Sequence, residues 1–270
     1  MDENTHHTTG RAGTRTSGGI TYLATYAVAG LALAGLAACA VDTVTHHGPP
    51  TQGKSAGAST TADPALPAPT VDMAMVRESE DPGRTVNLTL DDGPDPRWTP
   101  KALELLKRYG AKAVFCMTGP NAAAHPDLVK QVVAAGHRLC DHSVHHDTAM
   151  DKKPVAYQEK EILDAKRMID EASGGEKIWF YRAPGGAFTP QSRQIAAAHG
   201  MRSLGWNVDP NDFARPGTEA IVSAVKAQLS SGPTVLLHDG GGNRSQTMDA
   251  LERLLPWFEE QGYAFSFPKG

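Results

Sequence analysis

A chain of 270 residues has room for one large domain or two small ones, and 40% hydrophobic residues can build a sizeable core. A net charge of −4 with no basic block argues against a nucleic-acid partner. Three cysteines, Cys39, Cys116 and Cys140, are too few for a disulfide scaffold, and no C-x-x-C pair suggests a cysteine-bound metal or a redox motif.

Residues 1–19 are polar, and residues 20–41 (ITYLATYAVAGLALAGLAACAV) carry no charge at all. That apolar stretch is long enough to span a bilayer, which takes about 20 residues, and it equally suits the apolar region of an export signal. Leu36-Ala-Ala-Cys39 resembles the lipobox of bacterial lipoproteins, which makes Cys39 the expected lipidation site. An uncleaved signal-anchor helix is the alternative. Either way residues 1–41 are expected to export the chain and hold it at the membrane, on the extracytoplasmic face of a bacterial cell envelope. Residues 42–83 are rich in Pro, Ala, Thr, Ser and Gly and are expected to form a disordered tether. Residues 84–270 are the expected folded domain.

Val86–Leu90 reads as a buried strand. Thr99 is placed to cap a helix with Pro100 at its first position, ended by Gly110. Ala113–Met117 is the next strand, Pro126–Ala135 a helix, and His137–Cys140 a short strand that runs into His142-Ser-Val-His-His146. A long amphipathic helix is predicted over 154–173, then strand Ile178–Tyr181, helix 189–199, strand Ser203–Trp206 and helix 217–229. Strand Thr234–Leu237, helix 245–261 and strand Tyr263–Phe267 complete the chain. Strands that alternate with helices predict parallel pairing through right-handed crossovers, hence an α/β sheet or barrel.

In such barrels chemistry gathers at the C-terminal strand ends. Asp91 and Asp92 follow the first strand, His142 and His146 the third, Arg182 the fourth, Asp209 and Asp212 the fifth, and His238 and Asp239 the sixth. The i, i+4 spacing of His142 and His146 would put both imidazoles on one face of a helical turn, able to bind one metal. His145 would then point elsewhere. One aspartate could be a ligand while its neighbour takes a proton from water, with Arg182 holding the second carboxylate and His238 as the general acid. Each residue also has an ordinary reading: a polar loop, a structural salt bridge, a capped strand end. Those readings leave the shared location unexplained.

The domain resembles the NodB-homology polysaccharide deacetylases, a metal-dependent carbohydrate esterase family, from about Arg84 to Phe267. Thr89-Leu-Asp-Asp-Gly-Pro94, His142-Ser-Val-His-His146, Arg182-Ala-Pro-Gly-Gly186, Asp209-Pro-Asn-Asp-Phe213 and Leu236-Leu-His238 are similar to its five motifs, in order. The resemblance implies a distorted (β/α) barrel with seven or eight parallel strands. It makes Asp91 the catalytic base, Asp92, His142 and His146 the metal ligands, and Arg182 the group that positions the base. Asp212 tunes the acid His238, the Gly185 N–H stabilises the oxyanion, and Leu236 lines the acetyl-methyl pocket. Three positions depart from the family pattern. Leu90 replaces phenylalanine, Gly185 stands where many members carry tyrosine, and Phe213 replaces tryptophan at the groove wall.

The expected reaction is N-deacetylation of an acetylated amino-sugar polymer, peptidoglycan or a chitin-type oligosaccharide. O-deacetylation of acetylated xylan and a catalytically inactive wall-binding lipoprotein are the alternatives. The cofactor is expected to be one divalent metal, zinc ahead of cobalt or nickel. The protein is expected to be a monomer, with the glycan and the membrane as partners. Cys116 and Cys140 lie near the ends of the second and third strands. If those strands are neighbours, a disulfide can form in an exported protein; two buried thiols are the alternative.

Overall fold

A computed structural model describes residues 65–270. The expected export segment with Cys39, and residues 42–64 of the expected tether, lie outside the described residues. Among those described, no helix is long and apolar enough to cross a membrane.

The chain alternates as expected. Strand β1 (Thr85–Asp91) leads to helix α1 (Thr99–Arg108), β2 (Ala113–Met117), the short α2 (Gly119–Ala124), α3 (Pro126–Ala134) and β3 (Arg138–Asp141). Then follow α4 (Val155–Ser173), β4 (Ile178–Tyr181), α5 (Pro190–Ala198), β5 (Arg202–Ser203), α6 (Thr218–Gln228), β6 (Thr234–His238), α7 (Ser245–Glu260) and β7 (Ala264–Phe265). The strands form one sheet in the order β5-β4-β3-β2-β1-β6, all pairs parallel, with β7 beside the start of β1. The sheet curls into an open, distorted barrel. Residues after β5 run back to β6, where the Asn207 and Val208 N–H groups reach Thr234 O at 2.9 and 3.1 Å and Val208 O accepts from Leu236 N at 2.9 Å. This irregular closure brings the Asp209–Phe213 turn beside His238.

Every residue of β1 is buried, because helices cover the outside of the sheet while polar groups fill its inner face. Thr89 shows the second use: its hydroxyl donates to Val235 O at 2.7 Å and accepts from Arg182 Nη1 at 2.9 Å. The outward face packs Leu88 and Leu90 into a core with Leu105, Leu106, Leu254 and Phe258 from α1 and α7.

Three expectations need correction. The folded region begins before residue 84. Val76 is buried, its N–H reaches Ser203 O at 2.8 Å and its carbonyl accepts from Gly205 N at 2.9 Å. The segment has no periodicity of its own to betray it, yet it covers the otherwise open edge of β5. Second, Thr99 does not cap α1. Trp98 takes the cap position without a side-chain bond, and Thr99 Oγ1 instead accepts from Asp95 N at 2.8 Å and donates to Asp239 Oδ2 at 2.5 Å. Third, α2, between β2 and α3, was not predicted; its alanines carry no apolar periodicity.

Cys116 and Cys140 face each other in the β2–β3 register and are joined in a disulfide, with Cα atoms 4.2 Å apart. The bond ties β2, the neighbour of β1, to β3 beyond it.

Candidate active site

The C-terminal strand ends open into a groove of about 750 Å³, lined by residues at or after the ends of β1 to β6, with Asn121, Trp206 and Arg244 among them. Asp91 ends β1 in extended backbone, so its side chain stays on the inner face. Its Oδ1 accepts from Arg182 Nη1 at 2.5 Å, and both groups are buried. Arg182 is held in turn by Thr89 Oγ1, Leu204 O and Gly205 O, at 2.9, 3.3 and 3.3 Å. A buried guanidinium with this many acceptors is fixed in one orientation, and so is the carboxylate it grips.

Asp92 has φ of 72°, the left-handed region that a residue with a Cβ seldom occupies. That turn is how two adjacent carboxylates avoid each other. It swings Asp92 away from Arg182 and toward the histidines, while Asn121 Nδ2 donates to its carbonyl at 2.8 Å. The next residue must be glycine, because a Cβ at Gly93 would lie 2.5 Å from Asp239 Oδ1. The Gly93–Pro94 bond is cis.

His142 and His146 do converge, but not on a helix. Residues after β3 form a loop in which Ser143 and His146 take left-handed φ of 67° and 51°. The loop is pinned by Glu161 of α4, whose Oε2 accepts from Val144 N at 3.2 Å and His145 N at 2.8 Å. His145, expected to point elsewhere, bonds Glu161 Oε1 through Nδ1 at 2.6 Å and forms part of the groove wall. His142 Nδ1 donates to Arg182 O at 2.8 Å, which sets the tautomer and aims Nε2 inward. His142 Nε2 and His146 Nε2 lie 3.5 and 3.2 Å from Asp92 Oδ1. Burial pushes the His142 imidazole below its ordinary pKa, against the pull of Asp91 and Asp92, so its ring is neutral at neutral pH.

The three ligand atoms of Asp92, His142 and His146 all lie within 4.8 Å of one another. Asp92 Oδ1 is buried without a hydrogen-bond donor among the described residues. A buried carboxylate oxygen that faces two imidazole nitrogens and no donor fits a cation. Two imidazoles and one carboxylate are a donor set that suits a divalent transition metal and leaves positions open for water or substrate.

Across the groove, His238 ends β6. Its Nδ1 bonds Asp212 Oδ1 at 2.7 Å and its backbone N–H reaches Asp212 Oδ2 at 3.0 Å. Thr247 of α7 donates to the same Oδ2 at 2.7 Å. Burial alone would lower the His238 pKa, but the Asp212 hydrogen bond and charge, with Asp91 and Asp92 behind them, outweigh it and raise the value. The Phe213 ring meets the His238 ring edge-on at 5.7 Å and is half exposed. Leu236 and Gly185, the latter at φ of 57°, complete the wall. Asp209 also borders the groove, but its Oδ1 closes a local turn on Asn211 N at 2.8 Å.

Asp239, next to His238, points away from the groove onto Thr99. Burial first, and then the Asp92 and Asp91 charges, push its carboxyl up to about 7. Arg244, also buried, ties Gly240 O, Gly241 O and Phe213 O together at 2.6, 2.9 and 3.2 Å, joining the loops after β5 and β6. Glu161, Thr247, Arg244, Asn121 and Trp206 were not singled out from the sequence. The only available signal was a charged or polar residue on an otherwise apolar helix face, as with Glu161.

A family model described as polysaccharide deacetylase matches residues 78–204. A peptidoglycan-N-acetylglucosamine deacetylase of Bacillus cereus is 39% identical over 184 residues, which is 67% of this chain and 85% of that protein. A chitooligosaccharide deacetylase of Sinorhizobium fredii is 35% identical over 191 residues, 66% of this chain and 87% of that one. Among solved structures, a CE4 family pseudoenzyme from Bacillus anthracis superposes with a TM-score of 0.65 at 26% identity, covering 72% of this chain and 66% of its own. Curated relatives matched over most of their length, together with a family model that spans the strand ends bearing Asp91, Asp92, His142, His146 and Arg182, place this chain in the polysaccharide deacetylase family.

Proposed function

We propose that this enzyme removes N-acetyl groups from N-acetylglucosamine polymers, with peptidoglycan as its substrate ahead of chitin-type oligosaccharides, and zinc as its metal. The observation that carries the reading is the division of labour at the end of β1. Asp91 is gripped by Arg182 through one oxygen, while Asp92 turns its undonated oxygen to two imidazoles. A site that only bound glycan would have no use for both arrangements. Fold alone does not carry activity, since a pseudoenzyme shares it.

Asp92, His142 and His146 would hold a divalent ion, which when bound would supply Lewis-acid polarisation worth several kcal/mol of barrier. Asp91 is the general base: Arg182 holds Oδ1, leaving Oδ2 to accept the proton of the attacking water. The Gly185 N–H donates to the developing oxyanion. His238, with Nδ1 committed to Asp212, uses Nε2 to protonate the departing amine. Its raised pKa keeps that proton available near neutral pH. Leu236 and Phe213 form the apolar wall for the acetyl methyl and the sugar face. Acetate and a glucosamine residue leave.

Export and retention at the membrane through residues 1–41 belong to the same proposal. They rest on the uncharged stretch 20–41 and the Leu36–Cys39 match, and they favour a wall polymer as substrate. The deciding experiment is acetate release from peptidoglycan, chitooligosaccharide and acetylated xylan, with and without chelator. Release from the first, abolished by chelator and restored by zinc, is expected. Release from xylan alone, or from none of them, overturns the reading.

A further inference from the structure

The guanidinium that grips Asp91 is itself held by two backbone carbonyls, Leu204 O at Nε and Gly205 O at Nη2, both at 3.3 Å. Those bonds fix Asp91 only as firmly as the stretch Ser203–Trp206 is fixed. Strand β5 ends at Ser203, so most of that stretch lies beyond it. Its backbone reaches β4 through Leu204 N, which donates to Tyr181 O at 2.8 Å.

A second set of bonds comes from the segment before β1. Val76 N–H donates to Ser203 O at 2.8 Å, Val76 O accepts from Gly205 N at 2.9 Å, and Arg77 Nε donates to Trp206 O at 3.1 Å. Arg77 O in turn accepts from Thr234 Oγ1, at the start of β6, at 2.6 Å. Residues 75–77 therefore span the irregular closure between β5 and β6, and the backbone there is anchored by bonds that do not involve the Arg77 side chain. Gly205 packs directly on this segment: a Cβ there would lie 2.7 Å from Met75 Sδ and 2.8 Å from Arg77 Nε. The carbonyls of Ser203–Trp206 are thus divided. Ser203 O and Trp206 O are held by the segment before β1, and Leu204 O and Gly205 O hold Arg182. The family match begins only at residue 78, one position beyond Arg77.

We propose that Arg77 is a positioning residue for the general base. It acts through Trp206 O on the stretch that seats Arg182, and through Arg182 on the Asp91 carboxylate. Without that bond the end of the stretch is freed, and the carbonyls that aim the Arg182 fork drift with it. A general base works only within hydrogen-bond reach of the proton it takes, so a small drift is felt in the chemical step. The inference rests on the role given to Asp91 above and extends it to a segment outside the groove's own loops.

The test uses an isosteric pair in the full-length, metal-loaded protein. Arg77→Gln puts an amide N–H donor where Nε stands, and Arg77→Met puts a methyl group there. Both remove the charge that faces the neighbouring Glu78, so the difference between them reads the hydrogen bond alone. The readouts are metal content and acetate release from an N-acetylglucosamine oligomer. Arg77→Met is expected to lower kcat about three- to tenfold, as the loss of one hydrogen bond allows. KM should stay within about twofold, and metal content at the wild-type level. Arg77→Gln is expected to retain about half or more of the wild-type kcat. Wild-type kcat in Arg77→Met, an equal loss in Arg77→Gln, a loss confined to KM, or one that follows a loss of metal overturns the positioning role and leaves the deacetylase reading standing. A confined KM effect would place the role of Arg77 in the Trp206 wall of the groove instead. Absence of acetate release by the wild-type protein overturns the deacetylase reading and the positioning role with it.

Discussion

Asp92 and Asp212 both meet histidines across the groove, and they are treated in opposite ways. Asp212 is complete, with His238 Nδ1, the His238 N–H and the Thr247 hydroxyl on its two oxygens at 2.7, 3.0 and 2.7 Å. Asp92 is incomplete, since its Oδ1 is buried with no donor and faces two imidazole nitrogens at 3.5 and 3.2 Å. A buried carboxylate satisfied by donors needs nothing more, whereas one that faces only lone pairs needs a cation. The contrast shows that a histidine's role follows from where its other nitrogen is anchored. His142 anchors Nδ1 on a carbonyl and offers Nε2 inward as a lone pair. His238 anchors Nδ1 on a carboxylate and is thereby made a better proton carrier.

The largest effects should come from breaking the incomplete corner. Asp92→Ala is expected to lose bound metal, measured on the purified protein, and to lower acetate release by about 10³-fold or more, as the loss of several kcal/mol of Lewis-acid help requires. Asp91→Asn should lower kcat by about 10²–10⁴-fold while metal content stays at the wild-type level. If Asp91→Asn lost the metal and Asp92→Asn kept it, the two roles would be exchanged. Arg182→Met leaves Asp91 buried and unpaired and should cost about 3–5 kcal/mol in denaturant unfolding.

The disulfide sharpens the comparison because it braces one corner only. Cys116 O accepts the Asp92 N–H at 3.1 Å, and Cys140 lies two residues before His142. Paired Cys116→Ser and Cys140→Ser is expected to cost about 3 kcal/mol of stability. It should weaken metal affinity while leaving the pH profile set by His238 in place.

The complete corner should respond more gently. Asp212→Asn is expected to lower kcat by roughly 10–100-fold. Activity needs protonated His238, so it is lost as pH rises through the His238 pKa. Asp212 raises that pKa against the opposing effect of burial, so its neutralisation should move the alkaline limb to lower pH. An unmoved limb would remove His238 from the acid role. The smallest effect belongs to Thr247→Val, which deletes one donor to Asp212 at a cost of about 1 kcal/mol or several-fold in kcat. Thr247→Ser should restore it.

Most strand ends could be read directly, because a run such as Thr-Val-Asn-Leu-Thr-Leu followed by Asp91 announces both the strand and what it delivers. The histidine pair was also legible, though the geometry behind it was not. The i, i+4 spacing suggested a helical turn, and a loop with two left-handed residues, pinned by Glu161, produces the same convergence. Thr99 carried a capping signal that its bond to Asp239 overrode, since burying an acid without a donor costs more than an unmade cap. Glu161 left only the trace of a charge on an otherwise apolar helix face, and Arg244, Thr247 and Trp206 left none. Their roles rest on partners that the fold brings close, such as His145 for Glu161, Asp212 for Thr247 and Phe213 O for Arg244.

The sequence by itself determined the alternation of strands and helices, the order of the strand ends, and which residue types gather there. Those properties are local, set by hydrophobic period, turn residues and the few positions after each apolar run. Only the tertiary structure decided that Asp92 turns from Arg182 to the histidines. It also decided that residues before 84 seal the edge of β5, and that Arg77 and Arg182 hold the same stretch, Ser203–Trp206. These depend on contacts between distant segments, where a hydrogen bond or a missing Cβ selects one orientation, and no local pattern encodes that selection.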